Sequence, residues 1–81
     1  MKVSPDKQTA RLSIEKRRRG KMVTVIAGLS SEETDLPALL KQLKNHCGAG
    51  GTLADSTLEI QGKQLDRVRE KLKSIGYKIK G

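Results

Sequence analysis

Alternating apolar and polar side chains mark the first two predicted strands of the chain. From Arg11 onward, Leu12 and Ile14 alternate with polar neighbours, which is the period-two pattern of a half-buried strand. Residues 22–27 (MVTVIA) form a largely β-branched run, and this predicts a more central strand. Five or six residues that include Gly20 connect the two segments, so the pattern predicts a β-hairpin.

Apolar side chains that recur every three or four residues predict two amphipathic helices. The first begins near residue 35, where Thr34 or Asp35 can cap it, and it ends at Gly48. Its apolar stripe consists of Leu36, Leu39, Leu40, Leu43 and Cys47. The second runs over about residues 64–75, with an apolar stripe of Leu65, Val68, Leu72 and Ile75.

Short segments at 52–54, 57–61 and 77–80 predict three further strands, which gives the element order β-β-α-β-β-α-β. The connection through the first helix is long enough for a parallel crossover. We therefore predict an α/β (α+β) two-layer open sandwich, with two helices on one face of a five-stranded mixed sheet. Residues 1–10 lack periodicity and are predicted as a flexible amino-terminal tail, which leaves residues 11–81 as a single domain.

The chain is strongly basic, with 17 Lys and Arg against 9 Asp and Glu and a formal net charge of +8. Most of the excess lies in residues 1–21, which hold eight basic and two acidic side chains. The densest stretch is residues 16–21 (KRRRGK), at the tip of the predicted hairpin. Arg guanidinium groups suit phosphate oxygens, so an RNA partner is the first hypothesis.

The remaining composition narrows the class of partner. One Tyr and no Phe or Trp disfavour stacking of single-stranded bases on aromatic side chains. A structured phosphate surface such as folded ribosomal RNA fits better. Duplex DNA is a less suitable partner because the chain shows no pattern typical of a DNA-recognition helix. The longest apolar runs are about four residues, against the ~20 of a membrane span, so no membrane partner is expected. A single Cys fits a cytoplasmic protein.

Candidate catalytic groups are few. His46 and Cys47 are neighbours on the first helix, about 100° apart around its axis, so they cannot face each other as base and nucleophile. They are also the only soft metal ligands, and neither a metal nor another cofactor is expected. An acylphosphatase-like hydrolase is a rival from the enzyme class, but no loop pairs an Arg with an anchoring Asn. We therefore predict no enzymatic activity.

Several ordered strings resemble the eukaryotic-type translation initiation factor one family, in particular its short bacterial and archaeal members. They are residues 20–29 (GKMVTVIAGL), 36–48 (LPALLKQLKNHCG), 47–52 (CGAGGT), 58–62 (LEIQG) and 68–72 (VREKL) followed by Gly76. The resemblance covers roughly residues 11–81. The chain has Lys63 where the family usually has an acidic residue, so no contact is carried over to that loop.

The resemblance implies a factor that binds the small ribosomal subunit near the decoding site and modulates start-codon and initiator-tRNA fidelity. It implies that the hairpin loop reaches toward initiator tRNA and messenger RNA, and that the first helix and glycine loop face ribosomal RNA. The matching positions are Lys16, Arg17, Arg18, Arg19, Lys21, Lys41, Lys44, Gly50 and Gly51. A monomer is expected. The alternative is a general RNA-binding regulatory module without a start-codon role.

Overall fold

The computed structural model describes residues 7–30, 32 and 34–81. Its elements are β1 (Thr9–Lys16), β2 (Met22–Ala27), α1 (Leu36–Cys47), β3 (Gly51–Ala54), β4 (Thr57–Gln61), α2 (Leu65–Ile75) and β5 (Lys78–Lys80). A single 3₁₀ turn, Arg18–Gly20, lies between β1 and β2. The structure therefore confirms the predicted order β-β-α-β-β-α-β.

The five strands form one mixed sheet in the order β3-β4-β2-β1-β5. The central strand β2 is antiparallel to both β1 and β4, and the edge strand β5 is parallel to β1. A two-residue turn at Asp55 and Ser56 returns the chain from β3 to an antiparallel β4. Because β4 inserts between β3 and β2, the crossover through α1 joins two parallel strands that are not neighbours.

One apolar core lies between the sheet and both helices. Leu12, Ile26 and Leu58 stand side by side on adjacent strands and form one row of this core. The two helices pack onto the same cluster, with Leu36, Leu39, Leu43 and Cys47 from α1 and Val68 and Leu72 from α2. Both helices therefore cover the same face of the sheet. Leu40 belongs to the predicted stripe but is only half-buried, at the edge of the core.

The helices begin in different ways. Asp35 caps α1, since its side-chain Oδ1 accepts a hydrogen bond from the N–H of Ala38 at 3.2 Å. The start of α2 has no side-chain cap; the N–H of Gln64 instead donates to Oγ1 of Thr24 at 2.8 Å, which attaches the helix to β2. Among the described residues, neither helix combines the length and apolarity needed to cross a membrane.

Strand β1 begins at Thr9, two residues before the predicted start at Arg11. Thr9 pairs with Lys78 of β5, and the N–H of Lys78 donates to the carbonyl of Gln8 at 3.2 Å. Ala10 is completely buried in the core. Residues 8–10 are thus part of the folded domain, since Gln8 and Ala10 are buried and Thr9 pairs with β5 near the other end of the chain. Residues 1–6 of the predicted tail lie outside the described residues.

Candidate RNA-binding surface

A basic loop, residues 17–21, closes the β1–β2 hairpin at one end of the sheet. The N–H of Arg17 donates to the carbonyl of Lys21 at 2.6 Å across the base of this loop. Gly20 has φ 73°, a left-handed conformation that glycine adopts without steric penalty. The main chain therefore closes the loop and leaves most of its side chains to project outward.

Four of the predicted RNA-binding cations project from this hairpin into solvent. They are Lys16, Arg18, Arg19 and Lys21. None of the four forms an ion pair with a carboxylate of the described residues. Each can therefore approach a phosphate without first breaking an internal contact.

Arg17 differs from the other cations of the hairpin. Its Nη1 donates to Glu15 on β1 and its Nη2 donates to Glu59 on β4 at 2.8 Å. The hydrogen bond to Glu15, followed by the one to Glu59, raises the pKa of Arg17 above its ordinary value. Both carboxylates lie on the face of the sheet that the helices leave open. Arg17 therefore connects the hairpin to β4, and its assignment as an RNA contact stays a prediction.

The glycine turn, residues 48–51 (GAGG), lies at the same end of the molecule as the hairpin. The carbonyl of Gly50 accepts a hydrogen bond from the N–H of Gln61 at 2.9 Å. The next residue, Gly62, donates its N–H to the carbonyl of Met22 at the base of the hairpin, at 2.8 Å. Two hydrogen bonds thus connect the glycine turn, the end of β4 and the hairpin in sequence.

Packing accounts for the glycine at position 51. A Cβ placed there would lie 2.6 Å from the carbonyl oxygen of Glu59 and 3.1 Å from Cδ1 of Leu40. Only glycine lets β3 approach β4 and α1 this closely. Gly50, by contrast, is exposed and faces the flexible side chain of Gln61.

Lys41 and Lys44 form the ridge predicted on α1, and both are exposed. They are three positions apart and lie within about one turn of each other on one side of the helix. Because α1 ends at Cys47 and leads directly into the glycine turn, Lys44 lies about one helical turn before those glycines. The structure thus brings the carboxyl-terminal half of α1 to the end of the molecule that carries the hairpin.

Lys63 and Arg67 are two exposed cations that the sequence analysis did not assign. Lys63 directly follows Gly62, which is hydrogen-bonded to the hairpin base. Both side chains, together with Ile14 and Leu65, line a depression of about 400 Å³. The sequence offered one indication of this cation, the basic residue at position 63 where the family usually has an acidic one.

The surroundings of His46 and Cys47 are those of a surface side chain and a core side chain, respectively. Cys47 is 5% exposed and belongs to the core, and this burial raises the pKa of its thiol, an effect that nearby Arg67 partly opposes. His46 extends away from the core, and its Nε2 lies 3.1 Å from Oε1 of Glu70 on α2. The two side chains do not form a base–nucleophile pair.

We expect the Cys47 thiol to react slowly with iodoacetamide at pH 8. The thiolate is the reactive species, and burial both disfavours it and blocks access to it. Mass spectrometry should show much slower alkylation in the folded protein than in the same protein in denaturing urea. Equal rates in the two conditions would contradict the buried environment of Cys47.

The chain is similar in sequence to known proteins. Residues 6–78 match the sequence profile of the family described as Translation initiation factor SUI1. A protein translation factor SUI1 homolog from Sulfolobus acidocaldarius is 39% identical over 75 residues, which cover 93% of this chain and 76% of the relative. The homolog from Methanocaldococcus jannaschii is 37% identical over 75 residues, covering 93% and 73%. An uncharacterized protein from Synechocystis is 43% identical over 77 residues, covering 94% and 69%. With a match that spans most of its length, the chain belongs to the translation initiation factor SUI1 family.

Proposed function

We propose that this protein binds the small ribosomal subunit near the decoding site and modulates start-codon and initiator-tRNA fidelity. Its family is one of translation initiation factors and not of enzymes, which assigns the chain a role in translation initiation. The observation that carries the proposed RNA contact is the closed loop at residues 17–21, around which four cations are exposed. We place this activity in the cytoplasm, on a monomeric protein.

The hairpin would bind RNA by neutralising phosphates. Its main-chain hydrogen bonds fix the loop, so less conformational freedom is lost on binding than in a flexible basic tail. Each cation that replaces condensed counterions on RNA makes binding sensitive to salt. We assign these phosphate contacts to ribosomal RNA, with initiator tRNA and messenger RNA as further partners of the loop tip.

The rest of the proposed surface extends from the hairpin over the glycine turn to α1. Lys41 and Lys44 continue the positive charge, and residues 41–51 contain no acidic side chain. Lys63 adds a further cation next to the hairpin base. Cations on several elements at one end of the molecule suit an extended, folded RNA surface better than a small anionic ligand.

A general RNA-binding regulatory module is the second candidate. It is favoured by exposed cations at the opposite end of the molecule, at Lys73 near the end of α2 and at Lys78 and Lys80 on β5. Cations at both ends would allow contact with many RNAs in several orientations. The two candidates differ in whether the hairpin end alone determines binding.

Sedimentation with purified small and large ribosomal subunits across a salt series tests the proposal. The wild type is compared with the triple variant Arg18→Gln, Arg19→Gln, Lys21→Gln, which removes three exposed charges from the hairpin. The matched control is Lys73→Gln, Lys78→Gln, Lys80→Gln, which removes the same charge from the opposite end. We expect selective binding of the wild type to the small subunit. The hairpin variant should bind more weakly, with a salt dependence reduced by roughly 2–3 in log–log slope, because about three phosphate contacts are lost.

The control variant should retain small-subunit binding close to that of the wild type. Equal weakening by both triple variants, or equal binding to the two subunits, would instead support the general RNA-binding module. Salt-independent binding would contradict both candidates. Circular dichroism of each variant checks that the fold is retained, which is expected because all six side chains are exposed.

A further inference from the structure

A cleft of about 370 Å³ lies at the base of the hairpin, beside the Arg17 ion pairs. It is lined by Arg17, Lys21, Met22, Val23, Gln61 and Gly62. Val23 and Gln61 are paired across β2 and β4 and point to the face that the helices leave open. Met22, one position earlier on β2, points to the opposite face of the sheet. Val23 is half-buried and supplies the apolar side chain on this face, whereas Arg17, Lys21 and Gln61 supply cationic or amide groups. This combination suits a ligand with a flat apolar body and polar edges.

The Arg17 guanidinium forms one wall of this cleft in a fixed orientation. Its Nη1 donates to Glu15 and its Nη2 to Glu59, so one N–H of each terminal nitrogen is engaged and the guanidinium is held between two carboxylates. The two carboxylates outnumber the guanidinium at this wall, so the phosphate of a ligand is expected on the Lys21 side of the cleft. The planar faces of the guanidinium are not used by these in-plane hydrogen bonds. Such a face can stack on a nucleobase.

The other lining groups complement a nucleotide. Lys21 is exposed at the rim and forms no ion pair with a described carboxylate, so its ammonium group can approach a phosphate. The Gln61 amide is exposed and carries both a donor and an acceptor, the combination that base edges require. Cation, amide and guanidinium thus surround one apolar lining within a single cleft.

The floor of the cleft is held by hydrogen bonds to β2. The N–H of Gly62 donates to the carbonyl of Met22 at 2.8 Å, and its carbonyl accepts from Oγ1 of Thr24 at 2.9 Å. Thr24 is completely buried, and its hydroxyl also accepts the N–H of Gln64. A cleft formed in this way requires little rearrangement when a ligand enters.

We propose that this cleft binds one unstacked nucleotide of an RNA strand. Its base lies between the Arg17 guanidinium and the apolar side chain of Val23, and its phosphate lies near Lys21. The proposal rests on the proposed RNA-binding function and deepens it, because it separates one base-binding cation, Arg17, from the phosphate-binding cations of the same loop. It also provides base stacking in a chain that lacks Phe and Trp.

Nuclear magnetic resonance titration of the full chain with adenosine 5′-monophosphate tests the proposal, with inorganic phosphate at equal ionic strength as the comparison. We expect the nucleotide to shift the Val23 methyl, the Gln61 side-chain amide and the Arg17 Nε resonances. Inorganic phosphate should shift none of these three. Arg17→Lys keeps the charge but removes the planar group, and it should weaken nucleotide binding by roughly tenfold, the scale of one base-stacking contact.

Arg11→Lys is the matched control for Arg17→Lys. Arg11 lies on the same open face of the sheet, the one that the helices do not cover, but outside the cleft. Gln61→Ala, paired with Gln42→Ala on the exposed side of α1, gives a second test that does not alter the Arg17 ion pairs. The proposal is overturned if nucleotide and phosphate shift the same resonances, or if each variant binds nucleotide as its control does. In that case retained small-subunit binding by the wild type would leave the proposed function intact. Nucleotide binding without subunit binding would contradict the proposed function instead.

Discussion

Truncation of Leu43 to alanine is expected to lower the free energy of unfolding by about 2–5 kcal/mol, the range for buried Leu-to-Ala changes. Leu43 is 0% exposed and lies in the core between α1 and the sheet. A chain of this size has a total stability on the order of 4–12 kcal/mol, at about 0.05–0.15 kcal/mol per residue. The variant should therefore populate the unfolded state measurably at room temperature.

Leu40→Ala is the matched control, with the same chemical change three positions earlier on α1. Leu40 is half-buried at the rim of the core, so its truncation should cost clearly less than that of Leu43. Urea denaturation followed by circular dichroism gives both free energies from the midpoint and slope. Equal losses at the two positions would contradict the burial difference between them.

The contrast between Leu40 and Leu43 shows which parts of the fold local sequence determines. Helical spacing placed both residues on one stripe, because spacing reports the face of a helix and not what covers that face. The coverage depends on where β3 and β4 lie, and those strands follow α1 in the chain. The two helices, the hairpin and the strand order along the chain were predictable, since their signals lie within short segments.

Long-range pairing accounts for what periodicity missed. The early start of β1 depends on its pairing with Lys78 of β5, which is almost a full chain length away. The parallel crossover was predicted, but the insertion of β4 between β2 and β3 follows from strand pairing that no single segment encodes.

The candidate site shows the same division between local and distant information. The charge run at residues 16–21 predicted an exposed basic hairpin, and four of its five cations are exposed. The different role of Arg17 could not be predicted, because it depends on Glu59, which lies 42 positions along the chain and is brought near by the β2–β4 pairing. The cleft at the base of the hairpin is likewise formed by the hairpin and the end of β4 together.

Gly51→Ala is expected to destabilise the protein by about 1–3 kcal/mol or more, the range for added volume in a packed site. The new Cβ would lie 2.6 Å from the carbonyl oxygen of Glu59, a main-chain atom that cannot move without displacing β4. It would also lie 2.9 Å from Cδ1 of Ile60, in the core. The strain should therefore appear as a lower midpoint in thermal and urea unfolding.

Gly50→Ala separates this packing role from a direct RNA contact. A Cβ at Gly50 would meet the movable side-chain end of Gln61 at 3.3 Å, and Gly50 has no positive φ that would oppose alanine. We therefore expect little loss of stability at position 50, together with weaker small-subunit binding if RNA approaches the turn closely. If only Gly51→Ala weakens binding, and does so in proportion to its unfolded fraction, the glycine turn contributes to folding and not to a direct RNA contact. A stable Gly51→Ala variant would show that β3 can move away from β4, against the close approach seen here.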